Sequence, residues 1–252
     1  MERIALLIPC TSKNRNWKNM KESYLYNLSL KTFLLTHNNE HEYRFYIGID
    51  RGDPVFDDKT NQAEVLKFKK IIPYIDFEFI YMDGIKKGHL TKMWNVLFQR
   101  AYDEKCTYFF QCGDDIHFAT KGWVNDCIMV LKSHDDYGLT GPINNNSRIL
   151  TQAFVSRKHM EIFDWFFPEE IMNWCCDDWY NWVYQPSLFF PLSNHFCSNQ
   201  GGEPRYDING NELFMMNPSQ NVLALRQKTM ALAQKHKKMI QQKVFKDKTP
   251  IE

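Results

Sequence analysis

Tyr108-Phe109-Phe110-Gln111-Cys112-Gly113-Asp114-Asp115 is the stretch that decides the fold. A short run dominated by aromatic residues has the composition of a β-strand buried on both faces, the strand type of parallel sheets. It runs straight into a glycine and two carboxylates. Parallel sheets bind ligands in the crevice beyond the carboxyl ends of their strands. The acidic pair therefore stands where chemistry is expected, behind a glycine that lets a ligand approach the backbone.

Working outward, strand and helix signals alternate. Ile4 to Ile8 is a continuous apolar run, and Tyr43 to Ile49 is a second strand closed by the turn Asp50-Arg51-Gly52-Asp53-Pro54. Phe77 to Met82, Tyr137 to Thr140 and Thr151 to Val155 read as further strands. Helical spacing joins Trp17, Met20, Tyr24 and Leu28, then Val65, Leu66, Phe68 and Ile72, and then Val124, Cys127, Ile128 and Leu131. The cleanest amphipathic helix carries Leu90, Met93, Trp94, Leu97, Phe98 and Ala101. From Phe163 to Phe190 the periodicity dissolves into an aromatic-rich stretch, and Gly201-Gly202-Glu203-Pro204 reads as a loop. Asn217-Pro218-Ser219 starts a last helix, rich in lysine and packed by Leu225, Leu232 and Met239. The expected fold is α/β: one domain over 1–216 with an open, mostly parallel sheet flanked by helices. A C-terminal basic helix and tail over 217–252 packs on that domain or extends from it.

A formal net charge of +1 gives no global field that would draw the chain to nucleic acid or membrane. Seven Trp, twelve Tyr and nineteen Phe exceed what a core needs, so some rings are expected on a binding surface. The seven cysteines show no zinc spacing and lie mostly in apolar stretches, which favours free thiols and a reducing compartment. The N-terminal apolar run is broken by Pro9, too short for a signal peptide, and nothing later approaches a membrane span. The expectation is a soluble, cytoplasmic protein with no transmembrane segment, in the host cytoplasm if the protein is viral.

Residues just after the strands carry the chemistry: Pro9-Cys10-Thr11-Ser12, Asp50, and Gly113-Asp114-Asp115. Hydroxyls, a carboxylate and an acidic pair converging on one edge suit a nucleoside diphosphate held through a divalent cation, Mn²⁺ or Mg²⁺, whose preferred ligands are hard oxygens. The chain has four Asp-Asp pairs, so a pair alone says little. Asp57-Asp58 and Asp135-Asp136 sit in polar turns, whereas Asp177-Asp178 lies among Trp174, Cys175, Cys176, Trp179 and Trp182. Carboxylates among aromatics tend to have raised pKa values, although capping a short helix is the plainer role.

The order of these features resembles the GT-A (Rossmann-like) glycosyltransferases, especially the family-2-like inverting group, over roughly residues 4–206. Ile4 to Ser12 resembles their first strand and nucleotide loop, and Ile47-Gly48-Ile49-Asp50 their second strand with its base-contacting aspartate. Lys86 to Asn95 resembles their segment ending in a nucleotide-proximal asparagine. Gln111 to Asp115 resembles their Asp-x-Asp metal motif, and Gly141-Pro142 with Phe154 to Arg157 their acceptor-side strand and turn. Cys176-Asp177-Asp178-Trp179 resembles their Glu-Asp-Trp motif, whose aspartate is the family's base. Two positions depart: Gly113 stands for the first metal-motif acid, and Asp177 for the glutamate.

The resemblance implies a metal-dependent transfer of a sugar from a nucleoside-diphosphate donor, UDP-sugar ahead of GDP-sugar, to a glycan hydroxyl with inversion. Pro9, Thr11, Ser12, Arg15 and Asp50 would seat the nucleotide, with Lys92, Asn95 and Asp114. Asp115 would hold the metal with a late histidine, His195. Asp178 would be the base, the choice against Asp177 remaining open, and Trp174 and Trp179 would stack on the acceptor. Arg205, beyond the glycine pair, would reach the diphosphate from a closing loop, a plain surface arginine being the other reading. Two alternatives stand beside this reading. A sugar nucleotidyltransferase usually has a Gly-rich first loop, and Pro9 to Asn16 has no glycine. A catalytically inactive sugar- or nucleotide-binding scaffold fits the missing first acid.

Overall fold

The structure, a computed structural model, describes residues 1–202 and 218–248. Eight strands form one mixed sheet in the order β3-β2-β1-β4-β7-β6-β8-β5. They are β1 (Arg3–Cys10), β2 (Glu42–Ile49), β3 (Ile75–Tyr81), β4 (Tyr108–Gln111), β5 (Ile116–Phe118), β6 (Leu139–Ile143), β7 (Ala153–Ser156) and β8 (Phe189–Asn199). β1, β2, β3 and β4 are parallel, β7 runs against both β4 and β6, β6 and β8 are parallel, and β5 runs against β8. Six strands thus share one direction, which is the expected α/β architecture of a mostly parallel sheet.

Alternation along the strands sorts the apolar residues onto two faces. Ile4, Leu6 and Ile8 meet α1 (Lys31–Thr36), α2 (Lys59–Ile71) and α4 (Trp123–Lys132) through Phe33, Val65 and Trp123. Ala5 and Leu7 meet α3 (Leu90–Asp103), α5 (Lys158–Phe163), α6 (Cys176–Tyr184) and α7 (Pro218–Lys248) through Phe98, Phe163, Trp179 and Ile240. Parallel strands need cover on both faces, and the chain supplies it.

Several elements differ from expectation. The helix read over Trp17–Leu28 is broken into a 3₁₀ turn at Met20–Glu22 and a π-helical segment at Leu25–Leu30 that runs into α1. The cause lies in side-chain demand from the sheet: Ser29 and Thr32 accept the backbone N–H groups of Ile116 (2.9 Å) and Phe118 (3.1 Å), so the helix is shaped around β5. Serine and threonine bonding of this kind competes with regular helix. β5 and β8 carry no clean alternation in the sequence, and β8 has a register shift opposite Pro142 and Ile143. On α7 the buried stripe is Thr229, Ala233, His236 and Ile240, with Leu232, Met239 and Val244 beside it. This helix packs on α6 and α5.

A histidine holds the aromatic core beneath α5 and α6. His159 is 1% exposed; its Nε2 donates to Phe166 O (3.0 Å) and its Nδ1 accepts from the Tyr184 hydroxyl (2.8 Å). That pattern requires the neutral ring. Burial pushes its pKa down to about 4 from 6.5. A depressed histidine gives stability that is present above 6.5 and is lost as pH falls towards 4, because the unfolded chain takes up the proton first. Urea unfolding of the wild type is therefore expected to lose on the order of 2–3 kcal/mol between pH 7 and pH 4 through this residue. His159→Gln should show a correspondingly smaller change over the same window.

Candidate functional site

A cavity of about 570 Å³ opens at the carboxyl ends of β1 and β4. Pro9, Thr11, Gln111 and Asp115 line it from the strand ends, Met93 and Trp94 from α3, Trp174 from the segment before α6, Asp177 and Asp178 from the first turn of α6, and Val222 and Arg226 from α7. A second, polar cavity of about 220 Å³ adjoins it and shares Thr11; Ser12, Asp50 and Asp53 line it with Lys13, Arg51 and Lys87.

Asp53 organises the loop between the two cavities. It is buried, and its carboxylate accepts from Ser12 N (2.7 Å), Ser12 Oγ (2.7 Å), Thr11 Oγ1 (3.2 Å), Val55 N (3.0 Å) and Phe56 N (2.9 Å). Both hydroxyls expected to seat a nucleotide thus donate to Asp53. Sequence reading took this aspartate for a turn residue. The Asp-Pro spacing that marks the turn also fits a carboxylate folded back on its own loop.

Asp115 sits between two glycines. A side chain at Gly113 would place its Cβ 2.5 Å from Asp115 Oδ1, and one at Gly201 would come within 1.8 Å of Oδ2. The departure at Gly113 thus leaves room for the carboxylate of Asp115. The backbone around it is fixed by Ser29, whose hydroxyl lies 2.7 Å from Asp114 O and 2.9 Å from Ile116 O and can donate its one proton to either. Gln200 N donates to Asp115 O (3.0 Å), and Arg15 Nη2 donates to Gly201 O (2.7 Å), which ties the first loop to the chain beyond β8.

Asp177 and Asp178 occupy the first turn of α6, entered through Cys175 at φ 66°. A non-glycine residue in that region is uncommon and is found at functional sites more often than elsewhere. Asp177 Oδ1 accepts the Asp178 N–H (3.0 Å). Burial first, and then the neighbouring charge of Asp178, push its pKa up to about 6. Asp178 Oδ1 lies 3.6 Å from Arg226 Nη2 and has no hydrogen-bond partner among the described residues. Asn181 clamps the facing loop, donating to Leu150 O (2.7 Å) and accepting from Leu150 N (3.0 Å).

The structure moves several expected site residues elsewhere. Asn95 lines neither cavity: its amide accepts from Phe166 N (3.0 Å) and Phe167 N (2.8 Å) and donates to Phe167 O (2.8 Å), so it fastens a loop. Lys92 pairs with Glu169 at 2.9 Å. Asp114 is fully buried and lines neither cavity. Trp179 is fully buried, its Nε1 donating to His236 Nδ1 (3.2 Å), so it is a core ring and no acceptor platform; Trp174 is 37% exposed and on the cavity wall. His195, expected in a loop, lies in β8 and bonds Asp126 (2.7 Å) and Thr120 (3.1 Å). Asp115 is level with Gln200, and the stretch back to Phe196 alone spans about 13 Å at strand rise, so His195 does not meet Asp115. Arg205 lies outside the described residues. Arg226 and Arg148, both on the wall, carried no sequence signal beyond their charge.

Asp177 gives this geometry a measurable consequence. A carboxyl with a raised folded pKa contributes stability that is full below its unfolded value of 3.8 and is lost as pH rises through about 6. Asp177→Asn, which mimics the protonated form, is expected to be more stable than wild type at pH 8, by up to about 3 kcal/mol, and to match it near pH 4. Thermal melts across that range check it.

No family model matches the chain, and no curated protein matches it in sequence. Among solved structures it is similar to S. aureus TarS. TarS 1-349 in complex with UDP-GlcNAc superposes with a TM-score of 0.54 at 13% identity, over 81% of this chain and 60% of that one. TarS 1-349 in complex with UDP gives 0.52 at 13% identity, over 79% and 60%. A further TarS crystal structure gives 0.51 at 11% identity, over 78% of this chain and 36% of that one. The chain therefore spans 36–60% of the TarS chains that it matches, and what it shares with them is the α/β fold.

Proposed function

We propose that the chain is a nucleotide-sugar glycosyltransferase that moves a sugar from a UDP-sugar to a glycan hydroxyl by one in-line displacement with inversion. The observation that carries this reading is one cavity with Asp115 on its strand-end wall and Asp178, whose Oδ1 faces Arg226 but makes no hydrogen bond among the described residues, on its α6 wall. Its size suits a ligand of this class. The shared fold with TarS, solved with UDP and with UDP-GlcNAc, supports the donor class.

The polar cavity around Asp50, Lys13 and Lys87 would take the nucleoside side of the donor, and the turn at Pro9 and Thr11 would lead the diphosphate to Asp115. Among the described residues no group of three or more His, Cys, Asp or Glu side chains could enclose a metal ion. One carboxylate fits Mn²⁺ or Mg²⁺ only where diphosphate oxygens and water complete the shell, a mode usual for Mg²⁺. Such an ion, held by Asp115, supplies positive charge against the leaving diphosphate. Asp178 Oδ1 would accept the acceptor hydroxyl's proton, Arg226 would hold that carboxylate, and Trp174 would offer an aromatic face to the acceptor ring.

Asp115→Asn is expected to abolish the Mn²⁺-dependent rise in melting temperature caused by UDP. Gly201→Ala should weaken it by displacing the Asp115 carboxylate, whose Oδ2 the added Cβ would meet at 1.8 Å. Addition of EDTA leaving UDP affinity untouched would remove the metal from this reading. Asp178→Asn should bind UDP-sugar normally and transfer about 10²–10⁴-fold more slowly, since a base acts only in the transition state. Asp177→Asn should lose less; the reverse ranking would exchange the two roles. NMR of the product should show an inverted anomeric centre.

A further inference from the structure

Three buried side-chain atoms on the wall of the large cavity have no hydrogen-bond partner among the described residues: Gln111 Oε1, Thr151 Oγ1 and Asp178 Oδ1. The proposed mechanism uses only the last. Gln111 is 3% exposed and ends β4, in register with Leu7 on one side and Ala153 on the other. Directly opposed residues of an antiparallel pair face the same side, and Ala153 puts only a methyl group beside the glutamine amide. Thr151 lies two residues earlier on the same wall.

Native proteins leave few buried amide oxygens without a donor, because the desolvated group is unfavourable. Gln152 shows the ordinary solution, its Oε1 accepting from Cys197 Sγ at 3.3 Å. Gln111 has no such partner among the described residues and its side chain lines the cavity, so a molecule bound there is the donor open to its amide oxygen. An amide oxygen accepts only, so the partner must be a hydroxyl or an N–H.

Resting on the nucleotide-sugar reading, we infer that Gln111 and Thr151 form the subsite that reads the transferred sugar. Gln111 Oε1 accepts from one sugar hydroxyl, and Thr151 Oγ1 bonds a second. The sugar is neutral: Asp115, Asp177 and Asp178 against Arg148 and Arg226 leave the cavity wall without the surplus of positive charge that a carboxylate on the sugar would need.

Calorimetric titration of the full chain with Mn²⁺ tests this with UDP, UDP-glucose, UDP-galactose, UDP-N-acetylglucosamine and UDP-glucuronate. The quantity read is the Kd of UDP divided by that of each UDP-sugar. At least one neutral sugar should raise this ratio above one in the wild type. In Gln111→Met and in Thr151→Val the ratio should fall about three- to tenfold, the range of one neutral hydrogen bond, with the Kd of UDP unchanged. The melting temperature of free Gln111→Met should stay equal or rise, since the orphaned oxygen is gone; if that variant does not fold, Thr151→Val decides. An unchanged ratio in the variants overturns the inference while the nucleotide-sugar reading stands. So does a wild type that binds UDP but gains nothing from any neutral sugar, or gains only from UDP-glucuronate. A wild type that binds neither UDP nor any UDP-sugar overturns both.

Discussion

The parallel pairing of β1 with β4, Ile4 to Leu7 against Tyr108 to Gln111, is the contact on which the site rests. It brings the turn at Pro9 and Thr11 beside the turn at Gly113 and Asp115, although the two are about a hundred residues apart in sequence. Shifting that register by one residue would send each aromatic of β4 to the opposite face, where Phe110 packs on Trp123 and Phe109 on Phe98. The two aromatic cores therefore hold the strand ends in step, and core packing and site geometry are one constraint.

The other wall has a separate origin. α6 and α7 lie on the face of the sheet covered by α3, and the bond from Trp179 to His236 fastens them to each other. Through that bond a core pair sets the position of Arg226, about three turns from His236 on the same helix, and so its approach to Asp178. The Asp115 side of the cavity thus comes from strand ends, which the sheet pairing holds in place. The other side comes from helices, whose placement depends on a few large side chains.

Most of the parallel half was legible in the sequence because its strands are continuous apolar runs with turn residues after them. β1, β2, β3 and β4 and the helix α3 all show that pattern, and Asp115, Asp178 and Trp174, singled out from the sequence, line the cavity. The rest was not legible for identifiable reasons. β8 mixes exposed and buried residues without strict alternation because its register shifts, so His195 read as loop. Asn95 and Trp179 have the residue types of a site but spend their polar atoms inside the protein, and a type does not reveal its partner. Arg226 lies about one turn before the buried stripe of its helix begins at Thr229, and only tertiary packing shows which side of a lysine-rich helix turns towards a cavity.

Thr11 stands on the wall of both cavities, which makes it a partition between two compartments of unlike chemistry. One is small, polar and flanked by lysines; the other is larger and framed by carboxylates and tryptophans. For ligand design this is a tethering problem. Two weak fragments, each suited to one compartment, gain from being joined only if the linker turns around Thr11 at the right length, since effective concentration collapses when a tether cannot span its sites. A rigid linker shaped to that turn would keep most of the gain, because it has little freedom left to lose on binding.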